Sequence, residues 1–200
     1  MNIACILTDK AYPNYADQTI YSLRFVERLI RQFHEFDFKD VLFVNDQPNQ
    51  DTHTLSKNFS ELLHFLQNLD LQQNVQLFLV KSNIIMDDRL IKFTRDSKDD
   101  IQLTEQGAFV KLSGENLNQF VQHLNDLRDM DQLIDFVKKP PIQYAIKTVS
   151  PNNFDSYIED LRLNFVPYYF QYEKGVDLRS IENQMYEANF KGTMDFIATY

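Results

Sequence analysis

Glycine is scarce in this chain of 200 residues: Gly107, Gly114, Gly175 and Gly192 are the only four. Average usage of about 7% would place many more. The shortage excludes the glycine-built motifs: no GxxxxGKS/T phosphate loop, no GxGxxG fingerprint and no GxSxG nucleophile elbow is present. Cysteine is rarer still. Cys5, in the apolar run IACIL, has no partner for an intrachain disulfide and reads as a small, buried, inert core residue. That usage fits a reducing compartment. His34, His53, His64 and His123 fall in no HExxH or other short metal-binding spacing.

Clustered positive charge is also lacking. The net charge is −9, and Lys138-Lys139 is only a pair, so nucleic acid is not expected as a partner. No apolar run approaches the roughly 18 residues that span a bilayer. The N-terminus lacks the basic-then-apolar pattern of a signal peptide. A cytoplasmic protein is expected.

What is present is a well-patterned core. The apolar fraction is 44%, with 17 Phe and 10 Tyr, enough for one domain over residues 1–200. NIACIL (2–7), VLFVN (41–45) and VQLFLV (75–80) read as strands. Between them, Ile20, Leu23, Val26, Ile30 and Phe33 mark one amphipathic helix, and Leu55, Phe59, Leu62, Leu66 and Leu69 mark another. The order is βαβαβ with uniformly apolar strands, which predicts a parallel sheet covered on both faces, a three-layer α/β/α fold. Downstream, RDSKDD (95–100) reads as a solvated loop, GAFVKL (107–112) as a strand, and ENLNQFVQHLNDL (115–127) and DQLIDFV as helices. The second of these helices is stopped by Pro140-Pro141. YAIKTV (144–149) reads as a strand. Ser150-Pro151 opens an expected helix through Phe154, Tyr157, Ile158 and Leu161. FVPYYFQYE (165–173) is expected to be extended, and a last helix runs from about Asp177 to Phe190. KGTMDFIATY ends at Tyr200 inside an apolar pattern, which suits either a segment cut from a longer protein or an end that packs down.

The candidate chemistry lies at one strand end. VQLFLV runs into Lys81-Ser82-Asn83, and ligands of open α/β sheets bind beyond the carboxyl ends of strands. The other acidic clusters, Asp99-Asp100 and DMDQLID (129–135), read as solvated surface, although divalent cations favour such oxygen ligands. DQPNQDTH (46–53) lacks the central Gly and terminal Glu of a calcium loop.

Three stretches carry a family resemblance: IYSLRFVERLIRQFHEFDFKDVLFVND (20–46), LFLVKSNIIMDDRLIKF (77–93) and KGTMDFIATY (191–200). They resemble the nucleotidyltransferase-like fold of the glycosyltransferase-A type. More narrowly, they resemble the cytosolic domains that accompany CDP-alcohol phosphatidyltransferases, inositol-phosphate cytidylyltransferases among them. The resemblance implies a nucleotide or a sugar or polyol phosphate as ligand, and Mg²⁺ held by Asn83, Asp87 and Asp195. It also implies substrate contacts from Lys10, Ser82 and Lys191, a place at the inner face of a membrane, and a membrane-embedded partner domain. Two departures count against catalysis. The loop after the first strand, TDKAYPNYADQ (8–18), has no Gly and only Lys10 as a cation, and the family's metal aspartate falls on Asn83. Three readings follow: a degenerate nucleotidyltransferase-like domain, a non-catalytic regulatory or interaction domain on the same scaffold, and a different α/β glycosyltransferase. The last would use a DxD motif, which DMD (129–131) matches in letters.

Overall fold

The computed structural model describes residues 1–8, 18–45, 56–71, 74–103, 107–150, 157–158, 163–164, 167–173 and 176–189. Strand β1 (Asn2–Leu7) is followed by a small hairpin, β2 (Thr19–Ile20) and β3 (Leu23–Arg24), and then by α1 (Phe25–Glu35). β4 (Asp40–Val44), β5 (Ser56–Lys57), α2 (Phe59–Gln67) and β6 (Gln76–Lys81) complete the first half. Next come β7 (Ile84–Met86), α3 (Asp88–Asp96), β8 (Ile101–Leu103), β9 (Phe109–Ser113), α4 (Gly114–His123) and α5 (Met130–Lys138). β10 (Lys147–Val149), β11 (Tyr157–Ile158), β12 (Leu163–Asn164), β13 (Tyr169–Gln171) and α6 (Leu178–Asn189) close the order.

Seven strands form the central sheet in the order β10-β8-β9-β6-β1-β4-β5. Only β9 runs against the rest, pairing antiparallel with both β6 and β8. The expected mostly parallel sheet is present. Its central strands β1 and β6 read as continuous apolar runs because both of their faces are covered. On one face Ala4, Ile6, Phe43, Phe78, Val80 and Phe109 pack against α1 and α3. On the other, Ile3, Cys5, Leu7, Leu77, Leu79 and Val110 pack against α2, α4 and α5. A satellite cluster of Ile20, Phe25, Ile85, Ile181 and Met185 joins the β2–β3 hairpin and α6 to β7.

Four expectations need correction. The first helix begins at Phe25, so Ile20 and Leu23 belong to the hairpin. Its turn residues Tyr21 and Ser22 have φ of 48° and 62°, which a helix cannot continue through. The second lies at 157–158, where Tyr157 and Ile158 are strand, paired antiparallel with Leu163–Asn164. The Ser150-Pro151 helix start and Phe154 reach into positions outside the described residues. The third is YAIKTV, of which only Lys147–Val149 is strand, because Tyr144 ends a short 3-10 turn and Ala145 turns left-handed with φ 45°. The fourth is RDSKDD, which is less solvated than its charge suggests. Asp100 is nearly buried and accepts hydrogen bonds from Ser113 Oγ (2.6 Å) and Asn116 Nδ2 (2.7 Å). Gly107 is needed where it stands: with φ +45°, a Cβ there would lie 2.2 Å from the Lys138 carbonyl oxygen.

Candidate functional site

The chain passes from β1 to β4 on one side of the sheet and later returns to β6 on the other. The strand order therefore reverses between β1 and β6, and the crevice beyond their carboxyl ends is where such folds take ligands. Three ladder hydrogen bonds carry the backbone one residue past the strands. Thr8 N donates to Val44 O (3.0 Å), Ser82 N to Leu7 O (2.8 Å) and Asn45 N to Lys57 O (2.9 Å). Thr8, Ser82 and Asn45 thus stand side by side. Side chains alternate along a strand, which puts all three on the face of Ile6, Val80 and Phe43. The apolar face ends in a polar row.

That row is sealed. Thr8 and Ser82 are each 2% exposed, Asn83 4% and Asn45 6%. Thr8 Oγ1 and Asn83 Oδ1 are buried with no hydrogen-bond partner among the described residues. An unmet buried polar group costs about 1–3 kcal/mol, so such groups call for an explanation. The orientation of Asn83 is fixed: its Nδ2 donates to Tyr172 O (2.8 Å), and its backbone carbonyl oxygen accepts from Tyr172 N (2.7 Å). Its side-chain oxygen is therefore presented as an acceptor. Lys81, 3% exposed, places a buried lysine at the same strand end, and its backbone N–H donates to Ala108 O.

Asp87 serves a different purpose. It is the N-cap of α3, with Oδ1 accepting from Arg89 N (2.9 Å) and Arg89 Nε (2.9 Å). Oδ2 accepts from Arg89 Nη2 at 2.7 Å. Asp88 follows in the first turn. Burial raises its pKa, while the bond from Gln32 Nε2 (2.6 Å) acts against the shift.

Of the residues singled out in the sequence, Ser82 and Asn83 meet at the switch point and Asp87 stands one short strand away. Lys10, Lys191 and Asp195 lie outside the described residues. Among the described residues no three His, Cys, Asp or Glu side chains group as a metal site. The fit to Mg²⁺ is therefore poor there: Asn83 offers a neutral oxygen, and the Asp87 carboxylate is engaged by Arg89. Thr8 and Asn45 were not evident as site residues from the chain alone. Their one signal is that each is the first polar residue after an apolar strand. The DMD triplet sits at a helix start instead, where Asp129 caps α5 by accepting from Gln132 N. Two open surface depressions of about 570 and 360 Å³ lie elsewhere, along α2 and beside α5. Cys5 is fully buried, which pushes its thiol pKa far up, as expected of an inert core residue. No helix among the described residues is long and apolar enough to cross a membrane.

No protein-family model and no curated protein sequence matches the chain. A solved structure assigned as a glucose-1-phosphate thymidylyltransferase from Bacillus anthracis, in complex with sucrose, does match in shape. It covers 97% of this chain and 98% of its own, with a TM-score of 0.54 and 8% identity. At that identity the likeness establishes the fold: mixed α/β with a mostly parallel central sheet, nucleotidyltransferase-like.

Proposed function

We propose that this chain is a nucleotidyltransferase-like domain that binds a nucleotide, or a sugar or polyol phosphate, beyond the carboxyl ends of β1 and β6. One observation carries the reading. Thr8 Oγ1 and Asn83 Oδ1 are buried without partners among the described residues, at the switch point of a sheet whose fold is nucleotidyltransferase-like. Hydroxyl and amino donors of a nucleoside or polyol answer such oxygens. Ser82 contributes a further hydroxyl. Lys10 and Lys191 supply the cations for phosphate.

Mg²⁺ enters this reading as the counter-ion that a nucleotide brings, and Asn83 and Asp195 as its contacts rest on the sequence resemblance alone. When bound, it neutralises charge on the phosphates. Asp87 joins that set only by leaving Arg89. The link to CDP-alcohol phospholipid synthesis rests on the sequence resemblance at 20–46, 77–93 and 191–200. That resemblance implies a domain at the cytoplasmic face of a membrane beside a membrane-embedded phosphatidyltransferase.

The capture of Asp87 by Arg89 favours a second reading, a non-catalytic regulatory domain of such a synthase, in which binding has outlasted transfer. Calorimetric titration with CTP and other nucleoside triphosphates, with and without Mg²⁺, tests binding, and an assay of transfer to polyol phosphates separates the two readings. Asn83→Asp sharpens the test, because an added carboxylate is expected to tighten Mg²⁺–nucleotide binding. Unchanged binding in that variant would remove Asn83 from the site, and no binding at millimolar nucleotide would remove the reading.

A further inference from the structure

The β2–β3 hairpin is strained and externally held. Its two turn residues both lie at positive φ, Tyr21 at 48° and Ser22 at 62°, without the Gly or Asn such turns favour. Left-handed backbone is costly for side chains like these and persists when surrounding structure enforces it. The enforcement comes from α6. Tyr21 N donates to Glu182 Oε1 at 3.1 Å, and the Tyr21 hydroxyl donates to the Glu182 carbonyl oxygen at 2.6 Å. Next to this pair, Ile20 and Phe25, both fully buried, pack with Ile181 and Met185 of the same helix. The hairpin in turn starts α1. Arg24 makes no side-chain cap, and the first helical N–H, that of Phe25, donates instead to Gln18 O across the hairpin (3.0 Å). Helix α1 then covers the face on which the polar row stands.

We propose that Glu182 and the apolar face of α6 form a latch. Seated, α6 holds the hairpin in its strained turn and keeps the start of α1 capped beside the strand ends. Withdrawn, it lets the turn relax, uncaps α1 and loosens the ligand edge. Whatever engages α6 thereby reaches the carboxyl edge of the sheet. The consequence for ligand binding rests on the function proposed above; the latch itself does not.

Amide hydrogen exchange on the full chain, without ligand, tests it. The informative probe is Phe25 N–H, which does not touch Glu182. In Glu182→Ala it is expected to exchange about five- to tenfold faster, the scale of one lost hydrogen bond, with β1 and β6 amides unchanged. Adding Ser22→Gly, which relieves the turn, is expected to return part of that protection. Acceleration at Tyr21 N–H alone overturns the latch, as does equal acceleration throughout the sheet, or a Ser22→Gly addition without effect. CTP titration of the same variants then reads the coupling. Weaker binding in Glu182→Ala supports it, and unchanged affinity beside an opened hairpin refutes it. A wild type that binds no nucleotide refutes the proposed function while the exchange result still decides the latch.

Discussion

At the residue scale, the edge is defined by two oxygens that the fold leaves unmet. Thr8 Oγ1 and Asn83 Oδ1 lower stability where they stand, because each has given up water without gaining a partner among the described residues. A residue kept for binding at the expense of stability should separate the two properties when replaced. Thr8→Val keeps the shape and removes the hydroxyl. It is expected to raise the unfolding free energy by about 1 kcal/mol and to weaken nucleotide binding severalfold. Denaturant unfolding and calorimetry on the same preparation check both. A variant that loses stability and binds as before would make Thr8 an ordinary packing residue. The sequence showed Ser82 and Asn83 as a strand end but hid Thr8 and Asn45. A polar residue after an apolar run is common, and these gain meaning only once the registers of β1 with β4 and β6 set them in one row.

At the scale of elements, α3 depends on the residue that precedes it. Asp87 caps the helix and clamps Arg89 at the same time, so Asp87→Ala is expected to cost about 1–2 kcal/mol, as a lost helix cap does. Its effect on nucleotide affinity is expected to be small, because the carboxylate already has its cation. Thermal unfolding and titration together distinguish this from a metal ligand, whose loss would abolish Mg²⁺-dependent binding and spare stability. The long elements were legible in the chain. β1 and β6 are buried on both faces and read, with the half-buried β4, as apolar runs, and α2, α4 and α5 repeat their apolar residues at helical spacing. The short ones were not. β7 has three residues and is paired with β13, which lies more than eighty positions further along. No local pattern announces such a strand. The start of α1 was hidden for a related reason: Ile20 and Leu23 fit a helical spacing, while the turn between them, held by α6, uses Tyr and Ser where Gly or Asn would have signalled it.

At the scale of the whole molecule, one buried charge shapes the response to pH. Lys111 is fully buried on β9, donating to the carbonyl oxygens of Ser97 and Asp99 beyond the end of α3. Burial holds its pKa below the ordinary lysine value, and Asp100, Asp99 and Asp96 act against that shift. The unfolded chain regains the ordinary value, so across the window between the two it binds more protons than the folded chain. Stability is therefore expected to rise with pH through that window and to be flat, for this group, below it. Lys111→Met removes the contribution. Denaturant midpoints for both proteins from neutrality to about pH 10 should show the wild type gaining relative to the variant, and parallel curves would rule Lys111 out as the source.

The proposed site lies beyond the carboxyl ends of β1 and β6, and amide chemical-shift mapping on the intact chain tests that place directly. On addition of CTP with Mg²⁺, the largest shifts are expected at Thr8, Asn45, Ser82 and Asn83, with α2 and α5 silent. Shifts confined to the depressions beside α2 or α5, or none at millimolar nucleotide, would contradict a binding site at the carboxyl edge of the sheet.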